Sequence, residues 1–209
     1  MVDTFPDEFR NQLLTLMAWR RDVRRFRSDP VPEAVLMRCL DTFRLAPSVG
    51  LSEPWRVIRV QSDTARAAAL DNYKSANAQA LAGFDGDRAE KYSQLKLSGM
   101  AEAPEHLAIF CDDSTTQGSG LGAGTMPEMR RYSVVGAVTL MWLAARSEGL
   151  GMGWVSILDP DQLCYDLNVP DAWSLVAYMC VGWPEEQADT PELERTGWEH
   201  RHDLIIETR

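Results

Sequence analysis

Apolar positions recur at helical spacing from the start of the chain. Phe9, Leu13, Leu16 and Met17 fall on one helical stripe, and a second helix is expected from near Pro32, with Leu36, Cys39, Leu40 and Phe43 on its apolar face. WRVIRVQ (55–61) alternates like a strand, and from Asp63 an alanine-rich helix should run until Gly83 ends it. Residues 84–100 read as a second, more polar helical stretch. HLAIFCD (106–112) has the unbroken apolar run of a buried strand, whereas QGSGLGAGT (117–125) reads as a mobile surface loop. The most hydrophobic helix should span about 131–148 and close on Gly149. A strand GMGWVSIL, a short helix from Pro160 to Leu167 and a strand WSLVAYMCVGW complete the order. With no repeat and no biased linker, one α+β domain over residues 1–209 with a central sheet is the simplest account.

Charge narrows the partners. Lysine and arginine total 21 against 31 acidic residues, a formal charge of -10, so the field of the chain repels nucleic acid and anionic membrane surfaces. The start lacks a basic stretch followed by an apolar core, and the apolar run from Val134 to Ala145 falls short of the ~20 residues a membrane helix needs. A cytoplasmic protein is expected. Cys39, Cys111, Cys164 and Cys180 lie far apart among apolar neighbours, as reduced core residues do, and no metal site is expected. The three histidines, His106, His200 and His202, are expected at the surface. The glycines at 118, 120, 122 and 124 do not match a dinucleotide fingerprint, because their spacing is G-x-G-x-G-x-G and no acid follows about 20 residues on.

The strongest local signal is AWRRDVRRF (18–26). Arg20, Arg21, Arg24, Arg25 and Arg27 crowd eight positions of this acidic chain, interrupted by Asp22. Two readings stand side by side. The cluster is a solvated basic end of the first helix, with Asp22 paired to an arginine, or its guanidinium groups converge on a phosphate. In the second case Asp22 must face an uncharged part of the same ligand.

RRDVRRF followed by APSVGLSEPW resembles the flavin-binding start of the nitroreductase superfamily, where R-R-S-x-R-x-F and P-S-x-x-N-x-Q-P-W motifs hold FMN. GMGWVSIL, the last strand ending in GWP and the C-terminal arginine region extend the likeness over most of the chain. Asp22 stands where serine is usual, Leu51 where asparagine is usual and Glu53 where glutamine is common. The first two departures, with Ser156 and the KLSG segment at 96–99, are similar to the BluB branch of that superfamily. The resemblance implies a three-layer, mostly antiparallel fold flanked by helices, and a homodimer with sites shared between subunits. It also implies an unusual activity: reduced FMN reacts with molecular oxygen as a substrate and is broken down to 5,6-dimethylbenzimidazole and D-erythrose 4-phosphate. A separate flavin reductase is then needed to supply the FMNH2. Position by position, Arg20, Arg21 and Arg24 are expected at the phosphate and ribityl chain, Ser48 at the flavin, Arg201 as a C-terminal phosphate ligand, and Asp22 and Ser156 at the reacting ring. Residues 73–100 are expected either to form a lid that brings Lys96, Leu97 and Ser98 to the flavin, or to stand as a solvated helical hairpin that only packs at the dimer interface. Trp55 and Trp154 should lie close to the flavin motifs. An NAD(P)H-dependent nitroreductase or flavin reductase, and a non-catalytic FMN-binding protein, are the competing readings.

Overall fold

The computed structural model describes residues 4–209. Four strands form one antiparallel sheet in the order β1-β2-β4-β3: β1 (Trp55–Arg59), β2 (Glu105–Asp112), β3 (Gly151–Val155) and β4 (Trp173–Gly182). The central strand β2 is buried at every position, which is why its sequence reads as a continuous apolar run. Alternate residues serve opposite faces. Leu107, Ile109 and Cys111 meet Ala177, Met179 and Val181 in a core covered by α2 (Glu33–Asp41) and α5 (Met129–Ser147). Ala108, Phe110, Tyr178 and Cys180 face a second core that includes Ala69 of α3 (Asp63–Leu81) and Leu163 of α6 (Pro160–Asp166). Helix, sheet and helix thus make three layers, an α+β fold.

The helix boundaries follow from caps. Ser62 accepts the Ala65 N–H to start α3, and Asp159 accepts those of Asp161 and Gln162, with Pro160 at the first turn of α6. Helix α5 ends in paired bonds from Gly149 N to Arg146 O and from Leu150 N to Ala145 O, with Gly149 at φ 84°. Two expectations are corrected. Only residues 86–94 of the 84–100 stretch are helical, as α4 (Gly86–Gln94), and Leu95 onward turns extended. His106 is no surface residue: it lies within β2, fully buried, because the strand starts at Glu105, two residues before the apolar side chains begin at Leu107. Its Nδ1 pairs with the Tyr178 hydroxyl at 2.9 Å, and burial, then the Arg66 charge, push its pKa down to about 4.

Helix α1 (Asp7–Trp19) forms where expected and packs beside α5, yet it buries none of its residues. Phe9, Leu13 and Met17 stay exposed, as do Leu204, Ile205 and Ile206 near the C-terminus. The stripe read from the sequence is real, but it faces away from this chain's own core.

Candidate flavin site

The arginine-rich segment is not the end of a helix. Helix α1 stops at Trp19, and residues 20–27 run extended along the free edge of β3 and the end of β4. Val23 N donates to Met152 O, Arg27 N to Trp183 O and Glu185 N to Arg25 O. Two glycines make this approach possible. A Cβ on Gly153 would lie 2.1 Å from the Val23 carbonyl oxygen, and one on Gly151 would lie 2.7 Å from the Val23 side chain. Phe26 anchors the segment from the other side, its ring seated where Gly99 has no side chain.

Extension sorts the charges onto two sides. Arg21 and Arg25 reach the loop after β4: Arg21 Nε donates to Asp189 O at 2.6 Å, and Arg25 pairs with Glu192 at 2.6 Å. Asp22 and Arg24 turn the other way. Asp22 Oδ1 accepts the Trp154 N–H at 2.8 Å, and Oδ2 accepts Arg24 Nε at 2.7 Å. Arg24 Nη1 donates onward to the carbonyl of Lys96 at 3.1 Å. The pairing of Asp22 with an arginine, first read as the bland alternative, is present, but it sits on the sheet edge rather than on a solvated helix.

Arg20 uses no side-chain donor among the described residues and lies over the Trp142 ring, 4.8 Å from its centroid. Trp142 in turn stacks at an angle on Trp154. Arg21 is held below its ordinary pKa, first by burial and then by the neighbouring charges of Arg201 and Arg20. Three of the expected phosphate ligands therefore gather as mutually repelling cations. Arg201 is exposed, with Glu194 at 4.0 Å as its carboxylate. Such a donor set fits a phosphate, which would relieve the repulsion and use the idle Arg20 guanidinium.

The 47–55 motif forms a tight turn leading into β1, at the opposite edge of the sheet from the arginine segment, so one chain does not bring Ser48 and the arginines together. Ser48 Oγ accepts the Glu53 N–H at 3.1 Å, and Leu51 and Glu53 hold positive φ of 55° and 41°. Asparagine tolerates that backbone better than leucine, so the usual residue at 51 has a physical reason that this chain overrides. Gln117 holds the strained turn by donating to Leu51 O, and Gly118 presses against Gly50. The glycine run is thus a set of hydrogen-bonded turns bracing the Ser48 motif rather than a detached loop. Trp55, at its end, packs edge-on against Phe43.

Ser156 is exposed and lies one residue beyond β3, which ends at Val155. Its hydroxyl has no bond to backbone or side chain among the described residues. In the 95–100 segment Leu97 is half-buried and Ser98 buried, with Ser98 Oγ accepting the Met100 N–H. Sequence reasoning missed the loop after β4, whose Glu186, Gln187, Thr190 and Arg195 line a cavity together with Arg21, Asp22 and Arg24. It also missed Trp142, which sits mid-helix in an apolar run with nothing to set it apart. His200 and His202 are exposed, and among the described residues no three His, Cys, Asp or Glu side chains gather as a metal site.

The antiparallel sheet and its flanking helices are shared with known proteins. The chain belongs to the nitroreductase family, whose model matches residues 17–183. Within that family it is 52% identical to a 5,6-dimethylbenzimidazole synthase of Rhodospirillum rubrum, over 94% of this chain and 93% of that one. It is 46% identical to a protein of the same name from Rhodobacter capsulatus, over 93% and 94% of the two chains. The fold is also that of a crystal structure of iodotyrosine deiodinase bound to FMN and 3-iodo-L-tyrosine, with a TM-score of 0.73 at 23% identity, covering 94% of this chain and 98% of that one.

Proposed function

We propose that this protein is a 5,6-dimethylbenzimidazole synthase that fragments reduced FMN with molecular oxygen to 5,6-dimethylbenzimidazole and D-erythrose 4-phosphate, the former serving as the lower ligand of vitamin B12. The observation that carries the reading is Asp22, a carboxylate fixed through both oxygens on the edge of the sheet, at a position where flavin reductases of the family have serine. The identity to proteins bearing that name supports it.

On this reading Arg20, Arg21 and Arg201 would hold the flavin phosphate, and Ser48, Leu97 and Ser98 would line the rest of the nucleotide. Reduced FMN is the substrate and supplies both the electrons for oxygen and the carbon of the product. Asp22 takes the proton from the ribityl carbon attached to the ring, a general-base task for a carboxylate that Arg24 and the Trp154 N–H hold in place. The free hydroxyl of Ser156 donates a hydrogen bond to a ring nitrogen. Residues 73–100 form a lid on a single domain and exclude water while the ring is open to oxygen. The exposed apolar stripe of α1 and the Leu204–Ile206 tail support a homodimer with shared sites. A separate reductase delivers the FMNH2. No helix among the described residues is long and apolar enough to cross a membrane, which agrees with a cytoplasmic enzyme.

The test mixes purified protein with photoreduced FMN, admits air and looks for 5,6-dimethylbenzimidazole by chromatography. Product is expected; reoxidation of intact FMN would refute the reading, and steady NADPH oxidation through bound FMN would favour a flavin reductase. Asp22→Asn should bind FMN and give less than a hundredth of the wild-type yield, as loss of a general base removes about 10²–10⁴-fold in rate.

A further inference from the structure

Arg24 makes a connection that no other arginine of the 20–27 segment makes. Its Nε donates to the Asp22 carboxylate and its Nη1 to the main-chain carbonyl of Lys96, and its side chain is only 13% exposed. The segment it reaches is itself tied down. Lys96 Nζ pairs with Glu102, Ala103 N donates to Gly99 O, and Arg66 donates to the carbonyls of Ala103 and Pro104 at the base of the same turn. Residues 95–104 therefore run from the end of α4 through a braced turn at 99–103 into β2, and one guanidinium holds the carbonyl of Lys96. That guanidinium joins a carboxylate of its own strand to a carbonyl 72 residues on, whereas Arg20 has spent no donor and Arg21, which donates to the carbonyls of Asp189 and Arg20, lies among the other cations.

We propose that Arg24 is a positioning residue, a latch that fixes the Asp22 carboxylate and holds the 95–98 segment closed, and that it does not grip the flavin phosphate. The role assigned to Asp22 rests on the synthase reading; the latch itself rests on the two hydrogen bonds. Only a planar fork suits it, because one rigid group must serve a carboxylate and a carbonyl at fixed angles. Lid closure and carboxylate orientation then become two ends of one coupling: opening the lid releases the carboxylate, and a fixed carboxylate favours the closed lid. Asp22 is aligned for proton removal only when the lid is shut.

Lysyl endopeptidase digestion of the flavin-free protein reads the latch directly. In Arg24→Gln, cleavage after Lys96 should rise about tenfold, the loss expected for one charge-assisted bond, while cleavage after Lys74 in α3 stays unchanged. The FMN dissociation constant, from quenching of flavin fluorescence, should stay within threefold. In turnover with reduced FMN, kcat should fall at least tenfold with KM little changed. A tenfold loss of FMN affinity with unchanged cleavage at Lys96 would make Arg24 a phosphate ligand and overturn the latch. Equal acceleration at Lys74 and Lys96 would show general loosening and overturn it too. Should Arg24→Gln not fold, Arg24→Lys carries the same measurement, since it keeps the charge but not the fork: selective cleavage at Lys96 is expected, and wild-type cleavage with wild-type kcat overturns the latch. If the wild-type protein makes no 5,6-dimethylbenzimidazole, the synthase reading fails, while cleavage and affinity still decide the latch.

Discussion

Gly153→Ala tests the assembly of the site from a single methyl group. A Cβ at 153 would stand 2.1 Å from the Val23 carbonyl oxygen, more than 1 Å inside ordinary contact, and both atoms are fixed to backbone. No rotamer change relieves this, so the 20–27 strand must lift from β3. Two bonds stretch beyond useful length as it does: Val23 N to Met152 O at 2.9 Å, and Trp154 N to Asp22 Oδ1 at 2.8 Å. A neutral bond contributes about 1 kcal/mol and one to a charged group about 1.5–3 kcal/mol, so the cost is about 2.5–4 kcal/mol. In a protein of this size that lowers Tm by roughly 5–15 °C. Thermal unfolding followed by circular dichroism gives the stability, and product yield from reduced FMN gives the state of Asp22; both should fall. Gly120→Ala is the control. Its Cβ meets nothing within 4 Å, so it carries only the strain of φ 74°, about 1–2 kcal/mol, and should leave yield intact. A Gly153→Ala protein with wild-type Tm and yield would refute the close approach of the two strands.

Other consequences are accessible to simple measurements. Arg21→Gln and Arg201→Gln should each weaken FMN binding at least tenfold, with a flatter dependence on salt than the wild type, by fluorescence titration. A thiol reagent such as DTNB should label Cys164 first and reach the other three only on unfolding, because burial raises the Cys39 thiol to about 11 and the Cys111 thiol to about 12 and pushes Cys180 higher still. His106 titrates near 4 in the folded chain and near 6.5 when unfolded, so between these values the unfolded chain binds the extra proton. Its stabilising contribution is complete above 6.5 and is lost as pH falls towards 4, up to about 3 kcal/mol. Urea unfolding at pH 7 and pH 5 should show this loss, and His106→Gln should lessen it.

The elements were legible where one signal dominated. The unbroken apolar run of β2, the alanine-rich α3 and the Gly149 stop of α5 each stand out in the sequence, and each is present in the fold. The arginine cluster was legible as a site but not as a shape. Helix-end and edge-strand placements suit RRDVRRF equally well until Gly151 and Gly153, about 130 residues on, are seen to leave room for its backbone. The contact between Arg24 and Lys96 was hidden for the same reason. The acceptor is a carbonyl, and main-chain acceptors leave no mark in a sequence. His106 was placed outside because it precedes the apolar run; only the Tyr178 hydroxyl across the sheet makes its burial affordable.

The strand that carries Asp22 has a consequence for how the protein comes into being. Residues 20–27 are made early, yet their docking edge is β3 and the end of β4, so Asp22 waits for Trp154, 132 residues later, and Arg27 for Trp183. Contacts of such separation close late and slowly. A nascent chain released before residue 185 could hold most of its sheet and still have no place for the Asp22 carboxylate. The edge is therefore a proofreading mark on the finished molecule: the arginines of 20–27 stand in line only on a chain that has folded through its last strand.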